Sequence, residues 1–265
     1  MLQAWLAGLS WAPLAVSSQF TGSSLIVAKK FAICLPSTPS ARGMIFLGDG
    51  PYYILPPTSL DAASILSYTP LLKRPKSSDY YIVVNDISIN RLTIDSLGRG
   101  GVKISIVVRY AKLKSDIYRS FLKGFAKATE AIPRAKTVSP FGLCLKTSTM
   151  GFSRVGLTVP PVDVELANGK NWTIFGSNSM KQVASDVACL AFEDGGHKAK
   201  LAVVIGSFQI ENNFSLFDLV RSRLGFSSSL FFVRTTCGNF NFTTKPKALI
   251  TKKDRQYSLA CILND

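Results

Sequence analysis

The sequence predicts a mainly β protein, and three observations carry that expectation. Short runs of Val, Ile, Tyr and Phe recur along its 265 residues, separated by Gly, Pro, Asn and Asp. The composition is 47% apolar and only 18% charged, enough to bury a sizeable core. Only one stretch keeps a sustained helical period.

The elements follow in order. FAICL (31–35) and MIFLG (44–48) read as strands around the turn-rich loop PSTPSARG, and Gly48-Asp49-Gly50 turns the chain toward YYIL. YYIVVNDISIN (80–90) begins as a buried strand and ends in alternation, with a hairpin at Asn90-Arg91. GVKISIVVRYAKL (101–113) contains a strand over 102–108 and leads to a helix starting near Ser115. In that helix Ile117, Phe121, Leu122, Phe125, Ala128 and Ile132 share one face. Ser115 is the expected N-cap, Asp116 suits the positive end of the dipole, and Pro133 ends the helix. VELANGKNWTIFG forms a hairpin about Asn168-Gly169, and KLAVVIGSF (200–208) a buried strand ending at Gly206. LFDLV and RLGFS then form two strands joined by a charged turn. After Thr244 the chain is basic and unpatterned, and disorder is expected there.

Lys and Arg outnumber Asp and Glu 31 to 16, giving a net charge of +15 and a pI near 9.7. Such a field favours polyanions. The basic residues are spread, at Lys29-Lys30, Lys73-Arg74, Lys198, Lys200 and Lys252-Lys253. No RNP, zinc-finger or helix-turn-helix pattern accompanies them, so nucleic acid is not an expected partner. No apolar run is long enough for a membrane span. The apolar start, MLQAWLAGLSWAPLAVSS, lacks a positive n-region and is broken by Gly8, Trp11 and Pro13, so it is not read as a signal peptide. Five cysteines (34, 144, 189, 237, 261) form no CxxC, and the single His197 lies in a charged loop. No metal site and no cofactor is expected: zinc-like clusters, a P-loop and a dinucleotide fingerprint are all missing. The wide cysteine spacing suits two disulfides and one leftover thiol. With sequons at Asn171, Asn213 and Asn241, it points to a secreted glycoprotein.

The block LAVVIGSFQIENNFSLFDLVRSRLGFSSS resembles the closing strands of pepsin-like aspartic proteases, with Phe217-Asp218 and Leu224-Gly225-Phe226 in the characteristic places. TPLL (69–72) and the following YYIVVNDISIN resemble the strands that open the C-terminal lobe. FGLC, TVPPVD, NWTIFGSNSM and RTTCGNFNFT narrow the resemblance to a plant group. That group holds the cereal xylanase inhibitors, the extracellular dermal glycoproteins, the basic 7S globulins and the gamma-conglutins. AGLSWAPLAVSSQF resembles a segment near the end of their N-terminal lobe. The implied organisation is a truncated chain. Residues 1–66 are a remnant of the N-terminal lobe and interlobe segment, 67–243 the C-terminal lobe, and 244–265 an atypical tail.

Aspartic proteases share one proton between two facing carboxylates, each from an Asp-Thr/Ser-Gly loop. The resemblance places Ser105-Ile106-Val107 at the second of these loops. Ser105 carries no charge near neutral pH, and β-branched residues resist conformations that Gly permits. Asp95-Ser96-Leu97-Gly98 is a poor substitute, since it precedes a Gly-rich loop instead of following a buried strand. No catalytic residue is therefore assigned. The resemblance pairs Cys144 with Cys189 and Cys34 with Cys237, leaving Cys261 without a family partner.

In the cereal inhibitors a loop before the last cysteine enters the xylanase active site with a histidine. Here that loop is SSSLFFVRTT (227–236). It has no histidine, and Arg234 is its only cation and the binding candidate; Phe231 and Phe232 are expected to pack inward. The resemblance implies a catalytically inactive, extracellular or cell-wall binding protein. Its partner would be a glycoside hydrolase or another protein, with an anionic cell-wall polysaccharide as a further candidate. The alternatives are an aspartic endopeptidase and a seed storage globulin.

Overall fold

The computed structural model describes residues 29–38, 40–54, 60–96, 101–239 and 259–263. Residues 1–28, Leu97-Gly98 and Asn241 lie outside the described residues, and so do the expectations placed on them.

The chain opens with β1 (Lys30–Cys34) and β2 (Gly43–Leu47), followed by β3 (Ser67–Leu72). The YYIVVNDISIN run becomes two strands broken at Val83, β4 (Tyr80–Ile82) and β5 (Val84–Ile89). Asn90 and Arg91, with φ of 50° and 64°, turn β5 back into β6 (Leu92–Ser96). β7 (Val102–Ile104) and β8 (Ala111–Leu113) precede the helix α1 (Ser115–Ala128). Short strands follow: β9 (Arg134–Ala135), β10 (Cys144–Lys146), and the hairpin of β11 (Phe152–Ser153) and β12 (Gly156–Leu157). β13 (Val162–Leu166) and β14 (Asn171–Ile174) turn at Gly169, whose φ of 73° suits glycine. The one-turn helix α2 (Gly176–Ser179) leads to β15 (Met180–Ala184), β16 (Val187–Leu190), β17 (Phe192–Asp194) and β18 (Val203–Ile205). β19 (Phe214–Asp218), β20 (Arg223–Phe226) and β21 (Leu259–Leu263) complete the chain.

Among the described residues the largest sheet runs β17-β8-β18-β7-β4-β3-β20-β19-β1-β2-β21. A second, β14-β13-β5-β6, lies under α1, and a third is β15-β16-β10-β9. Period-two alternation divides the central strands of the large sheet between two apolar layers. Phe31 and Ile33 of β1, Ile45 and Leu47 of β2 and Phe217 of β19 enter the main core. Ala32, Cys34, Met44, Phe46, Phe214 and Leu216 face a second cluster with Tyr52, Ile54, Leu230 and Cys237. These strands are buried on both faces, which explains their nearly unbroken apolar sequences.

Three local expectations are corrected. The strand predicted over 102–108 stops at Ile104. Ser115 is the first helical residue of α1, while Lys114 holds the cap position without a side-chain bond. The Ser115 hydroxyl instead donates to Asp194 Oδ1 at 2.5 Å. The helix ends at Ala128, before Pro133. Thr129 Oγ1 donates to the Phe125 carbonyl, and Arg134 to the Ala126 carbonyl and Thr129 Oγ1, so a cation serves the negative helix end. The tail is not wholly irregular either: Leu259–Leu263 pairs antiparallel with β2 and covers its edge.

Two disulfides are formed. Cys34–Cys237 links positions 203 apart, and Cys144–Cys189 joins β10 to β16 across 45 positions.

Candidate functional site

Ser105 lies where the chain leaves β7. That strand runs parallel to β18, and the chain returns as β8 on the other side of β18. The segment 105–110 therefore crosses the end of β18. Main-chain bonds hold it there: Ser105 N–H donates to the Ile205 carbonyl, Ser207 N–H to Val108 and Phe208 N–H to Arg109, at 2.8–2.9 Å. A Cβ on Gly206 would stand 2.7 Å from the Arg109 oxygen, so this crossing requires glycine. The strand ends early because the crossing begins at Ser105.

The Ser105 hydroxyl accepts from Val108 N–H at 3.2 Å. Ile106 packs on the core, whereas Val107 is 91% exposed at the tip. Beside this segment is a cavity of about 280 Å³. Its floor is aromatic: Phe31 and Phe217 stack at 4.6 Å, and Tyr80 lies 4.8 Å from Phe217. On its rim Lys103 binds Asp79 at 2.8 Å. Asp79 also accepts from the hydroxyls of Ser77 and Tyr81, so this carboxylate is engaged as a structural acceptor. Asp95 and Ser96 are the last two residues of β6.

Past β20 the chain makes a short 3₁₀ turn, Leu230–Val233. Leu230 is fully buried and Cys237 anchors the far side. Arg234 takes a left-handed conformation (φ 57°, ψ 36°) and is exposed. It borders an open cavity of about 310 Å³ with Ala41, Thr235, Thr236, Gly238 and Asn239. Phe232 corrects the expected inward packing: it is 51% exposed and meets Phe175 edge-on at 5.1 Å. The β11–β12 hairpin packs against the segment after Phe175, so closely that a Cβ on Gly176 would lie 2.0 Å from the Leu157 oxygen. This hairpin carries Phe152, 80% exposed. Sequence reasoning missed Phe152; its signal was an aromatic in a two-residue strand next to Gly151.

Asn213 is a second correction. It is buried, and its Nδ2 donates to the Glu211 carbonyl at 2.9 Å, which leaves no room for a glycan. Asn171 is exposed at the start of β14. Peptide mapping of protein expressed through a secretory pathway should find Asn213 unmodified, and a glycan there would contradict this packing. His197 sits on an exposed turn, as read from the sequence.

Two buried carboxylates went unrecognised. Asp218 is fully buried and meets Arg223 at 3.1 Å, Arg221 at 3.5 Å and Lys30 at 4.0 Å. Burial pushes its pKa up, but the Arg221 N–H, the Arg223 guanidinium and Lys30 together hold it below the usual carboxylate range. Glu211 pairs with Arg109 at 2.5 Å, and here burial prevails over the cations and raises the carboxyl.

The strand order and the β7–β8 crossing define a protein of the pepsin-like β class. The xylanase inhibitor C-terminal family matches residues 79–228, and the chain belongs to that family. A probable aspartic proteinase GIP2 of Nicotiana benthamiana is 41% identical over 260 residues, covering 90% of this chain and 59% of that protein. Gamma conglutin 1 of Prunus dulcis is 41% identical over 244 residues, covering 90% and 56%. A chitinase CLP of Oryza sativa subsp. japonica is 39% identical, covering 90% and 58%. Among solved structures, edgp superimposes with a TM-score of 0.83 at 37% identity, covering 90% of this chain and 63% of that one. Soybean basic 7S globulin gives 0.75 at 32%, covering 90% and 61%. The chain thus spans less than two thirds of the length of these relatives.

Proposed function

We propose that this chain is a non-catalytic binding module that docks on another protein, with a glycoside hydrolase such as a xylanase as the favoured partner. The observation that carries this reading is Ser105 at the end of β7, its hydroxyl turned into the local main chain. A serine there cannot supply half of a proton-sharing carboxylate pair. The family description supports the choice of partner. The docking surface is the exposed edge of Phe152, Phe175 and Phe232 together with Arg234: aromatic anchors beside a cation able to meet a catalytic carboxylate. Two disulfides fit an oxidising, extracellular setting, the cell wall included.

The test uses the full chain against a panel of microbial xylanases and other glycoside hydrolases. Inhibition of at least one is expected, and Phe232→Ala with Arg234→Gln should weaken it roughly thirtyfold, as for two hot-spot residues. The competing reading, an acid endopeptidase, draws on the name of the Nicotiana relative. Pepstatin-blocked cleavage at acid pH that disappears in Asp79→Asn would replace the binding reading with that one.

A further inference from the structure

We infer that the outer face of α1 is a docking strip for a linear polyanion, a carboxylated polysaccharide of the polyuronate type. Arg119, Lys123 and Lys127 stand four residues apart on α1, so they line one face with about 6 Å of axial rise between neighbours. All three are exposed. The ion pairs around them use other residues: Lys114 meets Asp116 at 3.7 Å and Lys112 meets Glu193 at 3.3 Å. Like charges at this spacing weaken a helix. The opposite face carries Tyr118, Phe121 and Phe125 into the core, so packing holds the helix in spite of that repulsion.

The strip continues beyond the start of α1. The loop after β17 is fastened there by Gly195 N–H to the Leu113 carbonyl at 2.7 Å and by the Ser115–Asp194 bond. It presents exposed His197, Lys198 and Lys200. Of the nearby acids, Asp194 accepts from Ser115 and Gly196 and Asp116 from Ile117 N–H; Asp194 also faces Arg119 and His197, and exposed Glu130 follows Lys127 by three residues, so the cations outnumber the acids along the strip. The three helix cations form a line and the loop cations belong to a segment fastened at its start, which suits a single extended chain bearing fixed charges.

The same face argues against nucleic acid. Single-stranded nucleic acid is held by stacking rings beside the cations, and the aromatic residues of α1 are all buried. A polyuronate needs no such platform, only spaced cations and hydrogen-bond donors.

The experiment measures binding of the full chain to de-esterified polygalacturonate by calorimetry at low and high salt. The triple variant Arg119→Gln, Lys123→Gln, Lys127→Gln should bind about tenfold or more weakly, with a melting midpoint no lower than that of the wild type. A control with the same charge change elsewhere, Lys146→Gln, Arg154→Gln, Lys170→Gln, should stay within about twofold. Wild-type binding should weaken as salt rises. An equal loss in the control would assign the effect to net charge and overturn the strip. So would absence of polyuronate binding, or equal or tighter binding of a single-stranded oligonucleotide of matched charge. None of these outcomes bears on hydrolase inhibition, which uses the aromatic edge.

Discussion

The double variant Cys34→Ala, Cys237→Ala is expected to lose about 5 kcal/mol of stability, from the loop-closure entropy released to the unfolded chain. The bridge closes nearly the whole described chain, with its sulfurs 203 positions apart. The shorter Cys144–Cys189 loop, at 45 positions, gives about 4 kcal/mol by the same reckoning. Thermal melts of the oxidised proteins should rank the two in that order, with the first falling by roughly 10–20 °C. The first loss also has a local consequence. Cys237 follows the turn that presents Phe232 and Arg234, and its bond to Cys34 ties that turn to the end of β1. On the proposed function, hydrolase inhibition should therefore decline at temperatures where the variant is still folded. Equal melts for wild type and both variants would refute the account.

Asp218→Ala is expected to destabilise the fold by about 3 kcal/mol, the lower end for breaking a buried charge cluster. Its carboxylate is the common acceptor for Arg221 and Arg223, and Lys30 beside it is only 12% exposed. The pH dependence follows from the direction of the shift. Asp218 has a folded pKa below the unfolded value, so its contribution is complete above about pH 4 and disappears as pH falls through the lower folded value. Glu211 acts in the opposite sense: its raised carboxyl favours the fold below the unfolded value and lessens stability as pH rises through the folded one. Urea melts from pH 2 to 7 should show the acid-side decline shrink in Asp218→Asn. An unchanged acid limb would mean that other carboxylates set it.

The hairpins were legible because their turns carry local signals, Asn90-Arg91 and Asn168-Gly169 among them, and the paired strands β19 and β20 lie where the FD and LGF runs fall. The body of α1 was legible from its apolar period. What escaped notice depends on distant partners. Ser115 would be an N-cap in an isolated helix, but Asp194, 79 residues away, claims its hydroxyl. Asn213 matches a sequon, but burial decides its fate, and burial is a property of the assembled sheet. The apolar run at 102–108 looked like one strand because the main-chain partners that carry the crossing, Ile205, Ser207 and Phe208, lie about a hundred residues downstream. At the site, Ser105 and Arg234 were readable as residues, whereas the meeting of Phe175 with Phe232 came about only in three dimensions.

The crossing at 105–110 is fastened through peptide groups and a close approach to Gly206, and the side chains of Ile106 and Val107 take no part in those bonds. Shape at this point is inherited mainly from the backbone, with Ser105 Oγ adding a side-chain acceptor and Ile106 a core contact. The exposed tip at Val107 can be exchanged without disturbing the bonds that hold the crossing, which makes it a natural place for new specificities to arise.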